Sequence, residues 1–161
     1  MSDARKFREL FANDKILKNL LTEMKARDVT LAHEKKWIKN LLKMYKKKKP
    51  EKYSLAITAD GEIVGSIGFN KPDYDNQNVE FGYWIGEEYW GRGYATKAIK
   101  EFVKILFNKF KFVRVTASPF SYNKASQKVL QKAGLKLEGK RRKAVKKKGK
   151  FIDDAVYSKV R

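Results

Sequence analysis

The residues best suited to chemistry form one run, Tyr83-Trp84-Ile85-Gly86-Glu87-Glu88-Tyr89-Trp90-Gly91-Arg92-Gly93-Tyr94-Ala95-Thr96. An alternating stretch enters a glycine-bearing turn, and the turn opens a helix. Glycine lets the backbone take positive φ and come close to a ligand. The first turn of a helix carries N–H groups without internal acceptors and a partial positive charge. Arg92 adds a full charge beside it. Together these suit a pyrophosphate. Two nucleotide readings fail. Gly86 and Gly91 have P-loop spacing, but Arg92-Gly93 stands where Lys-Ser/Thr is needed. A dinucleotide fingerprint needs Gly or Ala where Thr96 stands. Taken alone, the run also reads as a ligand-free strand-to-helix turn.

The frame that positions this run follows from hydrophobic spacing. Ala4–Phe11 reads as helical. From Asp14 to about Lys25, residues Ile16, Leu17, Leu20, Leu21 and Met24 fall at helical spacing. Thr30 is a candidate N-cap, with His33 at the capping-box position, for a helix whose stripe is Trp37, Ile38, Leu41, Leu42 and Tyr45. Lys46–Lys49 and Pro50 end it. Period two then takes over in Tyr53–Ala59, turns at Asp60-Gly61, and resumes in Ile63–Phe69. Val79–Ile85 alternates again, with Glu80, Gly82 and Trp84 on its second face. A helix from Ala95 to Phe110, a strand over Phe112–Ala117 and a helix starting at Asn123 and stopped by Gly134 follow. Two tail strands, about Leu135–Val145 and Phe151–Val160, turn at Lys148-Gly149. The sequence predicts a single α/β (α+β) domain over residues 1–161, in the order α-α-β-β-β-α-β-α-β-β.

Composition limits what such a domain does. Lysine plus arginine is 38 and aspartate plus glutamate 18, so the net charge is 38 − 18 = +20. That field suits coenzymes, nucleic acid or ribosome surfaces, or else it is a solvated lysine-rich surface. The basic run Lys140–Lys150 reads as a charged hairpin able to contact nucleic acid. Cysteine is absent, which excludes disulfides and thiol nucleophiles. His33 is the single histidine, so a histidine metal site has no second ligand of its kind. No apolar run approaches the ~20 residues that span a bilayer, and a cytoplasmic protein is expected.

Trp90-Gly91-Arg92-Gly93-Tyr94-Ala95 resembles the pyrophosphate loop of the GNAT superfamily of N-acetyltransferases, Q/R-x-x-G-x-G/A. The surrounding EFGYWIGEEYWGRGYATKAIKEF is similar to the RimJ/RimL-like branch, which acetylates protein N-termini. Asn123-Lys124-Ala125-Ser126, followed by Lys132-Ala133-Gly134-Leu135, resembles that branch's N-x-x-S helix and K-x-G-F/L turn. Thr30-Leu31 with Glu34 and Trp37 adds a weaker match. The likeness runs from about Phe11 to the C-terminus.

The resemblance implies a mixed, mostly antiparallel sheet flanked by helices, with the usual first N-terminal strand missing. It implies acetyl-CoA as co-substrate, no metal and an amine acceptor, most simply a protein N-terminus, possibly ribosomal in origin. Pantetheine would add to the strand along Tyr83, Trp84 and Ile85. Gly91, Arg92, Gly93, Tyr94, Ala95 and Thr96 would hold the pyrophosphate. Asn123 would touch the coenzyme or serve as a helix N-cap. Glu80 would be a general base, or a surface carboxylate paired with lysine. The family's frequent tyrosine acid is replaced by Leu130, which leaves Ser126 to meet the leaving thiolate or to bond its own helix. Ribosome or RNA association, no membrane contact, and a monomer or homodimer complete the expectations. The alternatives are a polyamine or small-amine acetyltransferase, and a basic RNA- or ribosome-binding module that keeps the fold without turnover.

Overall fold

The computed structural model describes residues 2–161. Three helices come first: α1 (Ser2–Phe11), α2 (Asp14–Leu17) and, after a 3-10 turn at Ala26–Asp28, α3 (Leu31–Met44). Strands β1 (Lys52–Ala59), β2 (Glu62–Asn70) and β3 (Asn78–Ile85) follow, then α4 (Tyr94–Asn108), β4 (Arg114–Ala117), α5 (Lys124–Lys132), β5 (Lys136–Lys147) and β6 (Lys150–Val160). The strands form one sheet in the order β1-β2-β3-β4-β6-β5. Only the β3–β4 pair is parallel. A parallel pair needs a long crossover, and α4 supplies it.

Local chemistry explains most boundaries. Asp60 and Gly61 both take positive φ, 50° and 81°, as a two-residue hairpin turn demands. Thr30 caps α3 by accepting from the His33 N–H at 3.2 Å. Phe81 packs on Phe102 of α4, while Trp84 packs on Phe7 and Phe11 of α1. Successive strand residues face opposite sides, so α4 and α5 cover one face of the sheet and α1 and α3 the other. The core between sheet and α4 holds Ile67, Phe69, Val79, Phe81, Ile99 and Leu106. Among the described residues no strand precedes α1, and β1 lies at one edge of the sheet. Among them too, no helix is long and apolar enough to cross a membrane.

One predicted helix is corrected. Helical spacing continues to Lys25, but α2 stops at Leu17. The carbonyls that would extend it are taken by side chains from distant parts of the sequence. Lys147 Nζ donates to the Leu17 and Lys18 carbonyls at 2.7 and 2.9 Å and also to that of Leu20. Tyr122 OH donates to the Lys18 carbonyl at 2.6 Å. Lys147 is buried and its pKa is lowered by that burial. The tail hairpin also runs longer than its apolar pattern suggests, because β5 pairs through its charged residues up to Lys147.

The short β4 is tied to the hairpin by charge. Arg114 donates to both oxygens of Glu138, one bond measuring 2.6 Å, and Ser158 Oγ donates to the same carboxylate at 2.6 Å. The Arg114 hydrogen bond, then that of Ser158, lowers the Glu138 pKa from 4.5 to about 2. A carboxylate whose folded pKa lies below its unfolded one stabilises the fold above the unfolded pKa. That contribution is lost as pH falls from about 4.5 towards 2. Urea midpoints measured across this range should decline less steeply for Glu138→Gln than for the parent. Parallel acid limbs would show that the triad does not act on stability.

Candidate active site

The site is built around β3, which divides its edges between two neighbours. Its pairing with β2 covers Phe81 to Ile85, and its pairing with β4 covers only Asn78 to Glu80. β4 ends at Ala117, so beyond Glu80 the two parallel strands part. The Gly86 N–H donates to the Val64 carbonyl at 2.8 Å. Alternation from that bond turns the peptide groups of Trp84 and Gly82 towards β2 and those of Tyr83 and Ile85 into the gap. Of the three residues expected to present backbone to pantetheine, Tyr83 and Ile85 are the two whose peptide groups point into the gap. That of Trp84 does not; it faces Ser66. Gly65 permits this closeness, because a Cβ there would lie 2.2 Å from the Trp84 carbonyl oxygen.

The loop after β3 leads straight to the start of α4. Trp90 folds back, its Nε1–H donating to the Ile85 carbonyl at 2.8 Å. Gly91 and Gly93 adopt φ of 77° and 82°, and neither has an atom within 4 Å of where a Cβ would stand. Gly93 is the N-cap of α4 and offers no capping side chain, and the first turn carries no acid. The first intrahelical bond comes from the Lys97 N–H to the Gly93 carbonyl. The N–H groups of Tyr94, Ala95 and Thr96 thus have no acceptor within the helix. Arg92 is exposed, its guanidinium 5.7 Å above the Tyr89 ring. An anion with two phosphates fits these donors.

The two faces of the gap carry different chemistry. On the α5 side, Tyr83 OH and Ser126 Oγ lie 2.8 Å apart. Burial pushes the Tyr83 pKa up to about 12, against the opposing pull of the Ser126 bond. Tyr83 is therefore a phenol, able to donate, throughout the neutral range. Asn123 caps α5, accepting from the Ser126 N–H at 3.1 Å, which leaves its side-chain N–H groups unused among the described residues. Leu130 is fully buried. On the opposite side, Glu80 is exposed and sits among charges. Its field helps raise the Arg141 pKa, after the larger effect of the Asp154 carboxylate that Arg141 grips at 2.6 and 2.9 Å. Gly82, between Glu80 and Trp84, leaves that face of the strand open.

Across the mouth of the gap lies α2. Asn13 Nδ2 and Lys15 Nζ bond Glu87, just after β3. Tyr122 and Lys147 hold the other end of the segment, and the Lys148 N–H donates to Glu23 at 3.0 Å. Sequence reasoning missed this strap and the Tyr83 hydroxyl. Period two placed Tyr83 on the Phe81 face, but nothing in the spacing placed Ser126 beside it.

The family model for the acetyltransferase (GNAT) domain matches residues 1–136. The chain belongs to the GNAT acetyltransferase family. It is an N-acetyltransferase with acetyl-CoA as acyl donor. Among the described residues no cluster of His, Cys, Asp or Glu is placed to hold a metal ion. The N-acetyltransferase p20 of Bacillus licheniformis, itself uncharacterised, is 31% identical over 66% of this chain and 60% of its own length. The uncharacterised N-acetyltransferase YoaA of Bacillus subtilis is 28% identical over 99% of this chain and 88% of that protein. YdaF of the same organism, described provisionally as a ribosomal N-acetyltransferase, is 31% identical over 62% of this chain and 54% of its own. The solved structure of RimL, a ribosomal L7/L12 α-N-protein acetyltransferase in complex with coenzyme A, has a TM-score of 0.85 at 20% identity, covering 99% of this chain and 89% of that one. This last is a likeness of fold.

The loop geometry yields a direct expectation. Gly93→Glu sets a negative charge against the phosphates and forces a side chain onto a φ of 82°. Calorimetry should find acetyl-CoA binding weakened about 100-fold, the loss of roughly two charge-assisted hydrogen bonds of ~1.5 kcal/mol each. An unchanged affinity would remove the pyrophosphate from this loop.

Proposed function

We propose that the chain acetylates the N-terminal α-amine of a protein, with the amine entering from the α1/α3 face and the thioester from the α4/α5 face. The observation that carries this reading is the parting of β3 from β4 between two different sets of side chains. The pyrophosphate rests on the α4 N-terminus and Arg92. Pantetheine runs into the gap along the peptide groups of Tyr83 and the N–H of Ile85, whose carbonyl Trp90 already takes, and Asn123 flanks it. These N–H groups also stand where a thioester oxygen gathers charge.

The acetylated nitrogen must arrive as a free amine. Glu80, on the acceptor side, removes its proton directly or through water. The nitrogen lone pair then attacks the thioester carbon; as the tetrahedral adduct collapses, the nitrogen releases its surplus proton to water and the carbon–sulfur bond breaks with its electrons left on sulfur. The Tyr83–Ser126 pair, on the coenzyme side, gives the thiolate a proton and is recharged from solvent. Tyr83 thus takes the role that Leu130 leaves vacant. A protein acceptor is supported by the kinship with YdaF and by the net charge of +20, which favours an RNA-rich setting.

Two measurements test this. In steady-state kinetics, Ser126→Ala and Tyr83→Phe should each lower kcat while leaving acetyl-CoA affinity within about twofold, and the double variant should be no worse than the weaker single. Glu80→Gln should cost about 10²–10⁴-fold, the usual worth of a positioned base. A loss below ~10-fold would return Glu80 to the role of a surface charge. Separately, labelled acetyl-CoA incubated with cell extract should mark protein N-termini, and co-sedimentation with ribosomes should weaken steeply with added salt. Label confined to small amines would overturn the protein acceptor.

A further inference from the structure

On the α1/α3 face, behind Trp84, lies a cavity of about 250 Å³. Its walls are aromatic: Phe7 and Phe11 of α1, Trp37 of α3 and Trp84 of β3. Phe7 meets Trp37 and Trp84 edge-on at 5.7 and 6.0 Å, and Phe11 meets Trp84 at 5.0 Å. Met24 and the loop after α2 form its remaining side, and that loop is fixed by Lys147. One carboxylate belongs to this lining. Glu34 is 5% exposed, and its Oε1 lies 3.1 Å from His33 Nδ1. Its Oε2 has no hydrogen-bond partner among the described residues.

A buried carboxylate is costly unless a cation or donor meets it. Glu34 has the His33 ring at Oε1 and gains something from the N-terminus of α3, where an acid suits the helix dipole, while Oε2 is left for a further partner. That gain does not call for aromatic walls. Ring faces stabilise a desolvated organic cation, and ring faces with one carboxylate hold an alkylammonium group better than any neutral group of equal size.

We infer that this cavity binds a second cationic group of the acceptor, an alkylammonium arm separate from the amine that is acetylated. Trp84 links the two places. Its ring walls the cavity, while its neighbours Tyr83 and Ile85 turn their peptide groups into the gap. An acceptor that reaches both carries a reacting amine at one end and a cation several methylenes away. A lysine side chain following a protein N-terminus meets that description, and so does an alkyl diamine. This selectivity rests on the proposed reaction centre, whereas binding in the cavity does not require turnover.

The test reads binding first. Protein labelled with nitrogen-15 is titrated with pentylammonium and with 1-pentanol while the indole N–H signals of its three tryptophans are followed. Trp37 and Trp84 should shift and Trp90 should not. Pentylammonium should bind ten-fold or more tightly than pentanol, as one charge-assisted hydrogen bond implies. Glu34→Gln should bring the two within about twofold. Should that variant not fold, Trp37→Leu removes a ring face and should reduce the preference several-fold. Equal binding of the two probes, a preference that survives Glu34→Gln, or a shift confined to Trp90 would overturn the inference. Turnover then names the source. Faster acetylation of Ala-Lys than of Ala-norleucine peptides points to a protein terminus, and faster acetylation of 1,5-diaminopentane than of pentylamine points to a diamine. No charge preference in either pair would overturn the inference. Calorimetry with acetyl-CoA separates the two readings: its failure with pentylammonium still bound removes the reaction centre and leaves the cavity standing.

Discussion

A strand has two hydrogen-bonding edges, and β3 uses them over different parts of its length. β2 takes the second half, β4 takes only the first. The rest of the site depends on that division. Unpaired strand backbone inside a fold is costly unless something meets it, and in β3 the unpaired stretch lies at the centre of the sheet. Trp90 satisfies one of the freed groups, the Ile85 carbonyl. The remainder faces a gap with the open N-terminus of α4 at its entrance. The close approach of β2, permitted by Gly65, keeps the other edge of β3 from drifting.

Division of the strand also divides the chemistry. Side chains alternate across β3, so Tyr83 meets α5 while Glu80 and Trp84 look the other way. A phenol and a carboxylate so placed reach the same gap without neutralising one another. Gly82 keeps that face of the strand clear between Glu80 and Trp84. The proposed acid and base roles rest on this strand parity together with the burial that keeps Tyr83 protonated.

Lysine is not only a surface residue in this chain. Lys147 is buried against three carbonyls and holds the segment after α2 in place, while Lys15 ties the opposite end to Glu87. Part of the charge of +20 is therefore structural. The remainder along β5 is exposed, and as an edge strand β5 is guarded against pairing by those same lysines.

The sequence by itself determined what depends on near neighbours along the chain. Period two placed β1, β2 and β3, Asp60-Gly61 set their turn, Thr30 capped α3, and the glycines before Tyr94 opened α4 for an anion. Asn123 was legible both as cap and as coenzyme contact, and its oxygen is the cap. What the tertiary structure decided depends on residues distant in sequence. α2 ends early because Tyr122 and Lys147 take its carbonyls, and no local pattern encodes that. The strand pattern groups Trp84 with Tyr83 and Ile85, yet the register with β2 turns its peptide away from the gap. Tyr83 meets Ser126 across 43 positions of sequence, and Glu34 meets the rings of α1 and β3 only once the helices have packed. Spacing fixes which face a side chain takes, whereas packing fixes what that face meets.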